Sequence, residues 1–132
     1  MTDTGAYRAA IRLLAVSDKT PAALFRRLSE KGYPERECAD AVARLIREGY
    51  LNELSYAEKT VKKLYEKSYG PLYIEAYMKS REFSDEAAEY AAGIMSELDF
   101  DRSAKSFVSD MTASGKTKQQ ALSALYKRGF EL

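Results

Sequence analysis

Apolar residues recur at three- and four-residue steps along almost the whole chain, the spacing that lines one face of an α-helix. Tyr7, Ala10, Ile11 and Leu14 form the first stripe, Leu24 and Leu28 the second, and Cys38, Val42, Leu45 and Ile46 the third. Punctuation between the stripes fits three helices. Thr20 is placed to cap the second helix, with Pro21 at its first position, where a missing N–H costs nothing. Gly32 and Gly49 follow the last turns, where a residue free to take positive φ ends a helix. The run then repeats. Asn52 starts a helix with Ala57, Val61 and Leu64 inward, Gly70-Pro71 one with Ile74 and Met78, and Ser84-Asp85-Glu86 one with Ala88, Ala91, Ala92 and Met95. A third round has Ala104, Val108 and Met111, then Thr117-Lys118-Gln119-Gln120 in capping-box form, then Gly129-Phe130 in place of Gly32-Tyr33.

The starts of the three second helices, at 20, 70 and 117, are separated by 70 − 20 = 50 and 117 − 70 = 47 residues. A period of that size marks an array of small helical units, each too thin to bury its apolar face alone. The expected fold is all-α: a tandem array of three-helix, helix-turn-helix-like repeats spanning 1–51, 52–99 and 100–132. The third repeat lacks its last helix, because the natural protein ends early or because the segment belongs to a longer chain. Val108, Leu122 and Leu125 are then expected to lack part of their cover. Glu82 stands where units 1 and 3 have glycine.

Composition narrows the chemistry more than it widens it. The 132 residues hold 21 Lys+Arg against 20 Asp+Glu, a net charge of +1, which argues against a protein held on DNA by bulk electrostatics. The charge is uneven: residues 54–99 lean acidic and the stretch from Phe100 onward leans basic. The chain has no histidine and one cysteine, Cys38. Ser-His and Cys-His nucleophile pairs and the usual zinc sites are therefore missing, and no intramolecular disulfide can form. There is no glycine-rich phosphate loop, signal peptide or apolar run of membrane-spanning length. The expectation is a cytoplasmic protein that is not an enzyme, with no cofactor and no metal.

Several motifs in order and at matching spacing resemble the RecX family, bacterial regulators of the RecA recombinase. They are Gly49-Tyr50-Leu51-Asn52, Tyr56-Ala57-Glu58, Tyr69-Gly70-Pro71 with Ile74, and Phe83-Ser84-Asp85-Glu86. The resemblance covers about residues 7–130. It implies a monomeric modulator, acting in homologous recombination, DNA repair and the SOS response, that binds RecA and the RecA–ssDNA filament. Such a protein would lie in the filament groove and inhibit ATP hydrolysis, strand exchange and filament growth, with weak DNA contact as a further expectation. The sequence departs from the family pattern at Tyr73, often basic there, and at Tyr77, often Glu. Paired short helices joined by tight turns also describe a direct helix-turn-helix DNA binder, which stays open as the alternative.

Contact candidates lie off the apolar stripes. Arg26, Arg27 and Lys31 sit on the second helix of unit 1, and Arg8 and Arg12 share a face of its first helix. They read either as solvated faces or as a basic ridge for acidic surface or phosphate. Lys62, Lys63 and Lys67, with Lys59, make a lysine-rich helix, partly explained by local pairing such as Glu58 with Lys62. Tyr65, Tyr69, Tyr73 and Tyr77 fall at four-residue steps. Aromatics so spaced are often core, but Ile74 and Met78 already fill that role here, so Tyr69, Tyr73 and Tyr77 count as candidates. Lys127 and Arg128 complete the set, and Cys38 reads as a small buried hydrophobe.

Overall fold

The computed structural model describes residues 5–131, which form eight α-helices and no strand. They are α1 (Gly5–Val16), α2 (Pro21–Glu30), α3 (Glu35–Arg47), α4 (Glu53–Glu66), α5 (Pro71–Ser80), α6 (Asp85–Met95), α7 (Phe100–Ala113) and α8 (Lys118–Lys127). Residues 1–4 and 132, the outer ends of the first and last expected repeats, lie outside the described set.

Local chemistry sets the helix starts. The side chains of Thr20, Asn52, Ser84 and Thr117 each accept a backbone N–H three residues on, from Ala23, Ser55, Ala87 and Gln120. Thr117 and Gln120 close a reciprocal capping box. Asp99 caps α7 in the same way through the Arg102 N–H. Such caps satisfy donors that have no partner inside the helix.

Two hydrophobic clusters follow the repeat. Leu24, Leu28, Cys38, Ala41, Val42, Leu45 and the small residues Ala6, Ala9 and Ala10 bind α1–α3 together. Ala57, Val61, Leu64, Ile74, Met78, Ala87 and Ala91 bind α4–α6. The α7–α8 pair is thinner: α7 has no fully buried residue, while Ala121, Leu125 and Phe130 are buried. Val108 is half-buried and Leu122 is 36% exposed, whereas Leu125, expected to be short of cover, is only 4% exposed.

Four residues expected inward point elsewhere. Ile11 is 43% exposed, because the alanine face of α1 at 6, 9 and 10 takes the close contact instead. Ile46 is 48% exposed and lines a crevice beside Pro21, Leu51 and Leu54, between the two clusters. In α6 the buried stripe runs through Ala87 and Ala91, so Ala88 and Ala92 face solvent.

The second helices of the units meet end to end. Gly70 and Leu72 donate their backbone N–H groups to the carbonyls of Arg128 (2.7 Å) and Gly129 (3.0 Å), so the start of α5 closes the end of α8. One unit earlier, the Thr20 hydroxyl at the start of α2 donates to the Arg81 carbonyl at the end of α5 (3.2 Å). Thr20 has a side-chain hydroxyl where Gly70 has none, and that hydroxyl makes the tie in this joint. In both joints the positive end of one helix dipole faces the negative end of the next.

Candidate functional site

A groove of about 860 Å³ opens between the first two clusters. Its walls are α2 and α5, with α4 between them. Helical spacing explains the lining. Tyr56, Lys59, Lys63 and Lys67 recur on one face of α4; Ala23, Arg26 and Arg27 come from α2; Tyr73, Tyr77 and Ser80 from α5. Lys19, Arg26, Arg27, Lys59, Lys63, Lys67 and Arg81 supply seven cations, against two acids, Asp18 and Glu82. Both acids are already engaged: Lys59 Nζ lies 3.0 Å from Asp18, and Arg26 Nε lies 2.7 Å from Glu82 Oε1. A chain of net charge +1 thus concentrates positive charge in one concave surface.

Electrostatic neighbours tune these groups. The hydrogen bond to Glu82, with its charge, raises the Arg26 pKa above the ordinary value. Desolvation lowers the Lys19 pKa, the nearby Arg27 adds to this, and Asp18 opposes it. Desolvation, then the neighbouring Tyr77, raises the Tyr56 phenol.

Along one side of the groove runs a ladder of rings. Tyr69 and Tyr73 stack at 4.0 Å between centroids, and Tyr73 and Tyr77 lie 6.4 Å apart at 21°. An arginine closes each end: Arg81 sits 4.8 Å from the Tyr77 ring and Arg128 4.2 Å from the Tyr69 ring. A hydrogen bond to Tyr77 is the main reason the Arg81 pKa is raised above its ordinary value. All three tyrosines are half-buried against the α4–α6 cluster, so they are part core and part surface.

The sequence candidates divide. Arg26, Arg27, Lys63, Lys67, Tyr69, Tyr73 and Tyr77 line the groove. Arg8, Arg12, Lys31 and Lys127 are exposed and do not line it; Lys62 is also outside the lining, 3.7 Å from Glu58. Arg128 is a joint residue: its guanidinium donates to the carbonyls of Ser68 (2.9 Å) and Lys67 and stacks on Tyr69. Lys19, Tyr56 and Arg81 were not among the contact candidates, and Lys59 was named only as a member of the lysine-rich helix. The repeat holds a signal for Arg81, since 31 + 50 = 81 and 81 + 47 = 128 place it between Lys31 and Arg128.

Glu82 adopts a left-handed conformation, φ 62°, at the position where Gly32 (φ 96°) and Gly129 (φ 91°) end the corresponding helices. That conformation costs a residue with a Cβ about 1–2 kcal/mol. Among the described residues, no group of three or more His, Cys, Asp or Glu side chains could hold a metal, and no helix is long and apolar enough to cross a membrane.

Comparison with known proteins converges on one family. Residues 6–45, the α1–α3 unit, match the family model described as RecX, first three-helix domain. The regulatory protein RecX of Trichlorobacter lovleyi is 53% identical over 55 residues, a segment that is 42% of this chain and 36% of that protein. The matched part therefore spans about a third of that relative. A crystal structure of RecX from Lactobacillus salivarius superposes with a TM-score of 0.80 at 20% identity, covering 96% of this chain and 86% of the other. A second crystal structure of a regulatory protein RecX gives 0.69 at 17% identity, over 96% and 66%. At those identities the two structures speak for the fold, while the matches over residues 6–45 and over the 55-residue segment liken that part of the chain to RecX proteins.

Proposed function

We propose that this chain regulates RecA by occupancy: it binds RecA and the RecA–ssDNA filament and hinders ATP hydrolysis, strand exchange and filament growth. The single observation that carries the reading is the groove between α2 and α5, where seven cations surround two acids that are already paired. An open, curved, basic surface faced with tyrosine is suited to an extended acidic partner, with arginine and tyrosine as its contact residues. Similarity to regulatory proteins over the first unit supports a non-catalytic role. The units 1–51, 52–99 and 100–132 act as rigid segments of one array, and the protein works as a cytoplasmic monomer.

The test has two parts. Pull-down against RecA with and without ssDNA and a non-hydrolysable nucleotide should show retention that depends on the assembled filament. Sub-stoichiometric protein should slow RecA-driven ATP hydrolysis on ssDNA. Unchanged hydrolysis with saturating folded protein would overturn the proposal. Tight, steeply salt-dependent binding to naked DNA without RecA would favour a direct DNA binder instead.

A further inference from the structure

We propose that Arg26 and Glu82 form a latch across the groove, in which Glu82 occupies the arginine that an oxyanion of the bound filament would otherwise take. The inference rests on the reading of the groove as the filament-binding surface.

Three observations converge on it. The first is position. Glu82 follows α5 where the equivalent residues of the other units are Gly32 and Gly129, and it keeps their left-handed backbone at φ 62°. A glycine there would adopt the turn without strain. The second is what the side chain reaches. Its Oε1 accepts the Arg26 Nε–H at 2.7 Å, linking the α1–α3 unit to the α4–α6 unit, while Arg26 Nη1 also donates to Glu30 at 3.1 Å. The third is the setting: among the described residues the two hydrophobic clusters are separate, and the pair stands at their joint beside the polar ties of Thr20 to Arg81 and Lys59 to Asp18.

The pair is also exposed, with side-chain accessibilities of 50% for Arg26 and 35% for Glu82. An exposed ion pair is weak enough for a better oxyanion to displace. A carboxylate or phosphate of the partner entering the groove would release Glu82 from Arg26. That would free the joint between the units to adjust to the partner's curvature. The latch therefore tunes affinity downward and ties groove opening to occupancy.

The test compares wild type, Glu82→Gly, Glu82→Gln, Arg26→Ala and the Arg26→Ala/Glu82→Gln double variant. In the protein alone, the Arg26 Nε–H resonance should exchange slowly with water in wild type and quickly in Glu82→Gly. Inorganic polyphosphate, used as the oxyanion probe, should shift that resonance at lower concentration in Glu82→Gly than in wild type. Equal midpoints would overturn the latch whether or not the filament binds. With RecA–ssDNA filament, Glu82→Gln should bind about two- to fivefold tighter than wild type, the range open to an exposed pair. That gain should vanish in the Arg26→Ala background. A gain that persists there, or is matched by Glu66→Gln at exposed Glu66 on α4, would assign it to net charge and overturn the latch. Loss of filament binding in every variant, with the probe result intact, would instead overturn the functional reading alone.

Discussion

Gly70 and Gly129 pass backbone against backbone: a Cβ added at Gly70 would lie 2.5 Å from the Gly129 carbonyl carbon, and one added at Gly129 would lie 2.3 Å from the Tyr73 nitrogen. The contact lets α5 donate its first N–H groups to the last carbonyls of α8. Gly32 holds the same left-handed conformation, with nothing within 4 Å of the place its Cβ would occupy. Gly32→Ala should therefore cost only the backbone term, about 1–2 kcal/mol. Gly129→Ala adds a clash with backbone that cannot yield and should cost about 3 kcal/mol or more, releasing α8 from α5. Denaturant titration of the two variants, with hydrogen exchange along α8, measures the difference. Equal losses would mean that the joint is not tight.

Tyr7 and Glu48 make the first unit sensitive to acid. The Tyr7 hydroxyl donates to Glu48 Oε1 at 2.6 Å, tying α1 to the end of α3, and Arg44 sits 3.8 Å from the Tyr7 ring centroid. The hydroxyl bond is the main reason the Glu48 pKa is lowered, with Arg44 and Arg47 adding to it. A lowered carboxyl pKa contributes stability that is present above the unfolded value and is lost as pH falls through the folded one. Tyr7→Phe should therefore be less stable than wild type at neutral pH. The two should converge once acid has protonated Glu48. Thermal melts across the acid range test this; a constant gap at all pH values would remove Glu48 as the cause.

The groove and the outlying arginines should separate cleanly in binding. Lys63 and Lys67 line the basic surface, whereas Arg8 and Arg12 project from α1 outside it. Charge reversal of Lys63 and Lys67 together should weaken filament binding at least about tenfold, because each reversal also turns attraction into repulsion. Reversal of Arg8 and Arg12 should change it less than about threefold, as expected of charges away from the contact. Both double variants should melt near wild type, since all four side chains are exposed. The converse pattern would move the contact surface to α1.

Helix starts were legible because they depend on neighbours in sequence. Thr20, Asn52, Ser84 and Thr117 each find the partner N–H three residues away, whatever the fold around them. Burial was legible where a stripe faces its own unit, as for Leu24, Val61 and Ile74, and failed where orientation depends on a neighbouring unit. Ile46 has helical spacing with Val42 and Leu45, yet it faces the crevice between clusters. The groove was half legible. The lysine period of α4 is local, but the bond from Arg26 to Glu82 joins residues 56 apart, and periodicity carries no information at that range. The oddity of Glu82 among two glycines was visible, and its partner was not.

Tyr77 is where sequence reasoning placed an exposed contact residue and the structure places a shared one. Its ring packs on the α4–α6 cluster, stands 6.4 Å from Tyr73 and carries the Arg81 guanidinium at 4.8 Å. It also lines the groove. Removing it should therefore affect stability and binding together. Tyr77→Ala loses part of a half-buried ring and a cation–π contact, a cost of about 1–2 kcal/mol. Tyr77→Phe keeps the ring and should remain near wild type in stability. If the exposed edge of the ring meets the filament, the alanine variant should bind more weakly even at a temperature where it is fully folded, and the phenylalanine variant should fall between. The discriminating measurement is filament affinity at low temperature, set beside the unfolding free energy of the same preparations. Full affinity for folded Tyr77→Ala would restrict Tyr77 to a packing role and leave contact to the basic residues around it.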